Sequence, residues 1–333
     1  MKFRYLASVA ALGAVLAPPA LAQTKTIAID GSSTVFPVME AVAEEFQKAK
    51  KGRIRVTVGI SGTGGGFKKF CRGESDISNG SRPILKEEIE ACKQAGVEFY
   101  ELPIAFDALT VAVSPKNTFI GECIAVADLK KIWEPGAQGK VMQWSDVKPG
   151  WPSQPMKLYG AGADSGTFDY FTEAVVGKAK ASRGDFTASE DDNVLVTGIE
   201  NDVNSLGYIP FAYYAPHADK MKALAIDWGK GQGCVKPSLE NVLAGTYNPL
   251  SRPLFIYVSK KAAETKPEVR EIVEFAMTKS VPLIKEVKYL QLPDRAYELA
   301  LKKFKDGKTG SVFGGVPEVG VKIDDVVSRE AKS

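Results

Sequence analysis

Short runs of β-branched and aliphatic residues alternate along this chain with amphipathic stretches, and turns rich in serine, threonine and glycine join them. This alternation predicts strands and helices in turn, because the two elements bury apolar residues at different periods. Strand, helix, strand, helix in this order indicates an α/β fold with parallel strands and helices on both faces. The predicted strands cover 26–29, 53–58, 76–78 and 99–102, and the predicted helices cover 38–50, 86–95 and a segment from Phe67.

Two further apolar strands lie beside predicted domain edges. Residues 108–113 precede a Ser-Pro-Lys-Asn segment, and residues 254–258 follow an Asn-Pro-Leu-Ser-Arg-Pro segment. We expect these strands to carry the chain between two lobes. Residues 23–113 and 254–333 then form one discontinuous lobe, residues 114–253 form the other, and a cleft with a two-strand hinge lies between them.

The first 22 residues have the features of a secretory signal peptide. Lys2 and Arg4 precede an apolar run, and a small-x-small ending at Ala22 predicts cleavage before Gln23. The mature chain would be exported to the periplasm. It would carry 41 basic and 40 acidic side chains. The full chain has 43 basic and 40 acidic side chains, and cleavage removes Lys2 and Arg4. This balance predicts no nucleic-acid partner.

Four cysteines in an exported protein can form two disulfides with three possible pairings. We favour Cys71 with Cys92, because the pair brackets a compact stretch. Cys123 and Cys234 then pair within the second lobe, near its predicted entry and exit. No CxxC spacing indicates a redox or zinc role.

Turns rich in small polar residues precede several of the predicted helices. For any one turn, a helix N-cap is a sufficient explanation. Several of them together favour an anion-binding cleft, because helix N-termini offer free N–H groups and hydroxyls add donors without charge. The turns cover 31–34, 61–66, 80–82 and 164–167.

Motifs for other chemistries are incomplete in this sequence. The segment 62–67 lacks the last glycine of G-x-G-x-x-G, and Lys302 occupies the first glycine position of a Walker A motif. Ser165 lacks the flanking glycines of a nucleophile elbow. His217, the single histidine, is predicted to lie in a surface loop, and the acidic run 190–192 lacks calcium-loop spacing. The sequence therefore predicts no enzyme activity, no metal and no cofactor.

Four blocks of the chain resemble, in the same order, the periplasmic phosphate-binding protein of the high-affinity ABC phosphate importer. The most specific is the helix start Ser165-Gly166-Thr167 within a longer matching stretch. The blocks are Ile29–Pro37, Gly59–Gly66, Ala161–Phe171 and Leu206–Tyr208.

This resemblance implies a type II periplasmic binding-protein fold, in which two α/β lobes close on one phosphate ion. It also implies a monomer without catalytic activity that delivers inorganic phosphate to a membrane permease. Uncharged donors can hold a dianion because each contact is charge-assisted, and an arginine adds a bidentate contact. The implied ligands are Ser33, Thr34, the Val35 N–H, Ser61 or Thr63, and Ser81 with Arg82 from the first lobe, and Ser165, the Gly166 N–H and Thr167 from the second.

The chain departs from the family pattern in two places. Many members have an arginine shortly before Ser-Gly-Thr, where this chain has Gly160-Ala161-Gly162, so Arg82 is predicted to supply the positive charge. Many members also have an aspartate near the position of Ser81 that accepts the proton of hydrogen phosphate. Without it, rejection of sulfate is an open question. The acidic residues that could replace it are Asp164, Asp191 and Asp192.

Other functions compatible with the sequence are a receptor for another tetrahedral oxyanion or a phosphonate, and a surface or biofilm protein that reuses the binding fold. An exported phosphatase would use Ser165 or Ser33 as its nucleophile. A ligand titration and an ester-hydrolysis assay distinguish these alternatives.

Overall fold

A computed structural model of the chain describes residues 25–316 and 318–332. The predicted signal peptide at 1–22 lies outside the described residues. The fold is mixed α/β with two lobes, as predicted. Within the described part of the chain, no helix is both long enough and apolar enough to span a membrane.

Strands make up the centre of both lobes. They are β1 (Lys25–Gly31), β2 (Ile54–Val58), β3 (Ile77–Gly80), β4 (Phe99–Val113), β5 (Cys123–Ala125), β6 (Lys157–Ala161), β7 (Thr187–Ser189), β8 (Ser205–Pro210), β9 (Lys222–Ala223), β10 (Ala225–Asp227), β11 (Cys234–Val235) and β12 (Ser251–Ser259).

Helices connect the strands and cover the sheet. They are α1 (Phe36–Ala49), α2 (Thr63–Phe70), α3 (Lys86–Gln94), α4 (Val126–Trp133), α5 (Trp144–Val147), α6 (Gly166–Val176), α7 (Asp192–Asn201), α8 (Phe211–Tyr214), α9 (Leu239–Leu243), α10 (Lys260–Thr265), α11 (Pro267–Glu286), α12 (Asp294–Lys305) and α13 (Ile323–Lys332), with short 3₁₀ turns at Pro135–Ala137 and Ala215–His217.

The main sheet runs through both lobes in the order β2-β1-β3-β12-β4-β8-β6-β7, with β9 also paired to β4. We call the part built on β1, β2 and β3 the first lobe and the part built on β6, β7 and β8 the second. The neighbours within each of these groups are parallel, as predicted. Strand β12 is antiparallel to β3 and β4, because it returns the chain from the second lobe to the first. The division at residues 113 and 254 stays a prediction.

Strand β4 is a single 15-residue strand in which every residue is buried. The sequence predicts two separate strands there, over 99–102 and 108–113. A proline fits the observed strand since the register with β12 shifts at this point, from Ala105 opposite Leu254 to Pro103 opposite Phe255. The first part of β4 pairs with β12 and the last part with β8. Strands β4 and β12 therefore both cross from one lobe to the other.

Helix α2 begins at Thr63, four residues before the predicted start at Phe67. The glycines of residues 64–66 lower helix propensity, so the sequence indicates a turn there. The structure explains one of them. A Cβ on Gly66 would lie 2.6 Å from the Cα of Gly31, so only glycine lets the first turn of the helix pack directly on the end of β1.

Aromatic side chains attach the helices next to the cleft to the sheet. In the second lobe, Phe171 of α6 stacks on Tyr208 of β8 with ring centroids 3.8 Å apart. In the first lobe, Phe67 of α2 packs edge-on against Tyr257 of β12 at 4.7 Å. Such pairs stabilise the fold beyond the apolar area they bury. They also fix the N-termini of α2 and α6 relative to the strands.

Both predicted disulfides are confirmed. Cys71 bonds to Cys92, at a sequence separation of 21, and Cys123 bonds to Cys234, at a separation of 111. The second bond joins β5 to β11, the outer strands of a small sheet with the order β11-β10-β5. It therefore links the beginning and the end of the middle segment of the chain.

Candidate functional site

Hydroxyl groups from both lobes meet between the N-termini of α1, α2 and α6. The Oγ1 atoms of Thr34 and Thr167 lie 2.9 Å apart, across the two lobes. Within the first lobe, the Thr63 Oγ1 and Ser81 Oγ atoms lie 3.1 Å apart. All four side chains are completely buried. The structure thus brings one predicted donor from each of the four polar turns to the same place.

The main chain of Gly166 faces the first lobe at this point. A Cβ there would lie 2.4 Å from the Thr63 Oγ1 and 2.6 Å from the Ser81 Oγ. Any larger residue would therefore hold the lobes apart. Gly166 is the first residue of α6, so its N–H lies where a helix has free donors and a partial positive charge.

The strands explain why these residues converge. Thr34 follows β1, Thr63 follows β2 and Ser81 follows β3, and these three strands are parallel neighbours. Residues that follow parallel strands collect at one edge of the sheet, which is where open α/β sheets bind ligands. Strand β6 places Thr167 at the facing edge of the second lobe.

Arg252 supplies positive charge at this site, and none of the sequence patterns indicated it. Its Nη2 donates to the Thr167 Oγ1 at 2.9 Å and to the Thr34 Oγ1 at 3.3 Å. Its Nη1 donates to the carbonyl oxygens of Ser81 and Gly166, at 3.2 and 3.4 Å. The guanidinium therefore contacts three of the polar turns. The available signal was a lone arginine at the start of an otherwise apolar strand.

Asp107 compensates the charge of Arg252. The two residues are directly opposite in the β4–β12 ladder, and the Asp107 Oδ2 accepts from Nε and Nη2 of Arg252 at 3.1 and 2.9 Å. Neither side chain is exposed. Burial raises the pKa of the Asp107 carboxyl, and the Arg252 charge opposes this effect. The crossing strands thus supply a buried ion pair whose guanidinium still has donors facing the hydroxyls.

Arg82, the predicted source of positive charge at the hydroxyls, contacts two carboxylates. Its Nη1 and Nη2 donate to the two carboxylate oxygens of Glu88, both at 2.8 Å, and Nη1 also donates to the Pro83 carbonyl at 3.1 Å. Its Nε donates to the Asp169 Oδ2 at 2.7 Å. Two carboxylates therefore occupy the guanidinium. Arg252 is the arginine that contacts Thr34 and Thr167.

Three of the other predicted donors make local contacts. The Ser61 hydroxyl donates to the carboxylate of Asp30. The Ser165 hydroxyl is the N-cap of α6 and accepts from the Thr167 N–H at 3.1 Å. The Val35 N–H points to the Ser32 hydroxyl at 3.4 Å, a long contact. The N-cap explanation therefore applies to Ser165 itself, although its turn reaches the cleft.

Ser33 lies beside a buried carboxylate. Its carbonyl oxygen accepts from the Tyr213 hydroxyl of the second lobe at 3.0 Å. Asp192, the first residue of α7, is 2% exposed, and its Oδ2 has no hydrogen-bond partner among the described residues. Burial raises the pKa of Asp192 to about 7, against the opposing effects of the Ser33 side chain and the charge of Arg252. Ser33 and Asp192 thus face each other across the cleft.

The structure distinguishes among the three aspartates that the sequence left open. The Asp164 side chain is 46% exposed and pairs with Lys68 at 2.6 Å. Asp191 is exposed and caps α7 through its contact with the Asn193 N–H. Asp192 is the buried member of the set.

The described residues hold no group of three or more His, Cys, Asp or Glu side chains that could bind a metal ion together. His217 lies in the 3₁₀ turn after α8, where its Nδ1 is 2.5 Å from the Glu200 Oε1. The arrangement around Arg252 offers several neutral donors and one compensated cation. Such a set can bind a small oxyanion whose charge is fully desolvated.

Comparison with known proteins agrees with this geometry. The PBP superfamily domain matches residues 17–280 of the chain. Protein SphX of Synechococcus elongatus is 50% identical over 327 residues, which are 98% of this chain and 95% of that protein. The phosphate-binding protein PstS of Staphylococcus saprophyticus is 34% identical and covers 83% of each chain. A substrate-binding protein of Clostridium perfringens, solved with bound phosphate, is 25% identical with a TM-score of 0.67, covering 81% of this chain and all of that one.

Proposed function

The chain belongs to the PBP superfamily and to its PstS-like phosphate-binding proteins, and from this membership we propose that it captures inorganic phosphate and delivers it to the permease of an ABC importer. The observation that carries the proposal is the meeting of hydroxyls from both lobes around Arg252. Closure of the cleft buries every donor in this set. A ligand held there exchanges all of its water contacts for protein contacts.

We assign the phosphate oxygens to seven groups. Arg252 replaces Arg82 in the set implied by the resemblance, because its Nη2 already lies within hydrogen-bond distance of two of the other ligands. Ser61 and Ser165 support the site through Asp30 and the Thr167 N–H, respectively. The proposed ligands are the side chains of Thr34, Thr63, Ser81, Thr167 and Arg252 and the N–H groups of Val35 and Gly166.

Asp192, with Ser33 beside it, is proposed to accept the proton of bound hydrogen phosphate. It is buried, it lies across the cleft from the first lobe, and its Oδ2 has no partner among the residues described. An acceptor at this place favours an oxyanion that carries a proton and disfavours sulfate, which carries none near neutral pH. The Asp192→Asn variant is therefore expected to lose phosphate affinity and to discriminate less against sulfate.

The protein is proposed to act in the periplasm as a monomer, after removal of residues 1–22, without a nucleic-acid partner. Analysis of the exported protein tests these points. Mass spectrometry should find Gln23 at the N-terminus, and size-exclusion chromatography with light scattering should give the mass of one chain. A mature chain that begins at Met1 would contradict the first expectation, and a dimer mass would contradict the second.

Isothermal titration calorimetry with phosphate, arsenate and sulfate tests the proposed ligand. We expect one site per chain for phosphate and arsenate, and much weaker binding of sulfate. Sulfate binding as tight as that of phosphate would indicate a general oxyanion receptor. Absence of phosphate binding would refute the proposal, and turnover of a phosphate ester would favour the phosphatase alternative.

A further inference from the structure

A second buried ion pair joins the lobes outside the proposed phosphate site. The Nε of Arg82, in the first lobe, donates to the Asp169 Oδ2 of the second lobe at 2.7 Å. The side chains are only 4% and 2% exposed. An ion pair of this kind is strong only when its partners are held in the right geometry, because both charges lose their water. The arrangement of each partner therefore determines what the pair can do.

The first lobe fixes the Arg82 guanidinium by contacts of its own. Glu88 binds Nη1 and Nη2 as a fork, the Pro83 carbonyl accepts from Nη1, and the ring of Phe67 lies 5.8 Å from the guanidinium carbon. The Nε is left as the donor that faces the second lobe. The first lobe thus presents a preorganised donor to Asp169, so little further ordering is needed when the cleft closes.

Asp169 is similarly tied to the ligand-binding end of α6. It lies in the first turn of that helix, two residues after Thr167, and its N–H donates to the Ser165 carbonyl at 3.2 Å. Arg82 directly follows Ser81. The ion pair therefore joins two backbone segments that each carry a proposed phosphate ligand. Burial raises the pKa of the Asp169 carboxyl, and the charge of Arg82 opposes this.

We infer that Arg82 and Asp169 form a latch between the lobes that positions Ser81 and Thr167 in the closed cleft and slows release of the bound anion. They are positioning residues and do not touch the anion. This inference rests on the proposed function for its ligand. It assigns to Arg82 a role in closure, where the sequence indicated direct binding.

A latch of this kind has a specific kinetic consequence. The pair forms only when the lobes meet, so it stabilises the closed form and contributes little to the first encounter of the anion with an open cleft. Its loss should therefore raise the dissociation rate and leave the association rate nearly unchanged. Loss of a pair that merely stabilises the fold would lower the melting temperature without changing either rate.

Lys68 and Asp164 provide a matched control, because they form another ion pair between the lobes. Their atoms are 2.6 Å apart, but the side chains are 65% and 46% exposed. Solvated pairs contribute little to stability. The Lys68→Gln variant should therefore release phosphate at the wild-type rate, within about twofold.

The experiment measures phosphate association and dissociation by stopped-flow fluorescence in the full mature chain. The variants are Asp169→Asn, Arg82→Lys and Lys68→Gln. We expect Asp169→Asn to release phosphate at least about tenfold faster, with association within about threefold of wild type. Arg82→Lys keeps the charge but loses Nε, and should show a smaller change in the same direction. Thermal unfolding establishes that each variant folds.

Small-angle X-ray scattering of the phosphate-free protein gives a readout that does not depend on the ligand. The Asp169→Asn variant should have a larger radius of gyration than wild type, because fewer molecules are closed. If wild type fails to bind phosphate, the proposed function fails, and this scattering difference still tests the latch. Folded Asp169→Asn or Arg82→Lys protein with wild-type release and scattering would overturn the inference, as would an equal acceleration in Lys68→Gln.

Discussion

Replacement of Thr167 by valine tests the proposed site with little change of shape. The Thr167 Oγ1 lies 2.9 Å from both the Thr34 Oγ1 and the Arg252 Nη2, and the side chain is fully buried. Valine has the same branched form, so α6 should keep its geometry. The variant loses one hydrogen bond to a charged ligand, worth about 1.5–3 kcal/mol. The dissociation constant for phosphate should therefore rise by roughly 10- to 150-fold.

Calorimetry at fixed pH and ionic strength measures this change, and Thr172→Val is its control. Thr172 is a buried threonine of the same helix, but its hydroxyl donates to the Phe168 carbonyl at 2.8 Å. Its loss should lower stability and leave the phosphate affinity within about twofold of wild type. A folded Thr167→Val protein with unchanged affinity would remove this residue from the site. Equal weakening in both variants would indicate a general effect on α6.

Three further predictions concern charge, pH and the disulfides. Arg252→Lys should weaken phosphate binding by at least about tenfold in calorimetry, because lysine cannot contact Asp107 and the hydroxyls together; unchanged affinity would contradict the assignment. Asp192, with its pKa raised to about 7, contributes stability that is fully present below its unfolded pKa near 3.8 and is lost as pH rises through 7. Urea unfolding should therefore show that the stability of Asp192→Asn relative to wild type increases by about 3 kcal/mol from pH 5 to pH 8. A difference between the two proteins that does not change with pH would refute the raised pKa of Asp192 as the cause. Replacement of Cys123 and Cys234 by serine should lower the free energy of unfolding by about 3–5 kcal/mol, since the bond closes a long loop; equal stability of the two proteins would contradict this.

Local patterns were sufficient to predict much of this fold. The alternation of apolar periods placed β1, β2, α1 and α3 within a few residues of their observed limits, because each buries one face against a neighbour. Local sequence patterns failed where pairing between distant segments decides the structure. Strand β4 is continuous through Pro103 because β12 shifts register beside it, and no window of sequence around that proline contains this information.

The candidate site was predictable as a set of turns and unpredictable in its charges. Hydroxyl residues that follow parallel strands must share an edge of the sheet, so Thr34, Thr63 and Ser81 could be grouped from sequence. Arg252 lies 85 residues after Thr167 in the sequence, although its Nη2 contacts the Thr167 Oγ1 at 2.9 Å. Arg82 directly follows Ser81, so its position in the sequence indicated a ligand contact, whereas its guanidinium contacts Glu88 and Asp169. The direction in which an arginine points depends on the carboxylates packed around it, and here Glu88 and Asp169 decide it.

A crystal structure of the mature chain with phosphate tests the central claim most directly. We predict one phosphate ion in the closed cleft, with hydrogen bonds from Thr34 and Ser81 in the first lobe, from Thr167 in the second, and from Arg252 on the crossing strand. Arg82 should remain paired with Asp169. Phosphate bound by the Arg82 guanidinium, or held by one lobe alone with Arg252 out of contact, would contradict the account.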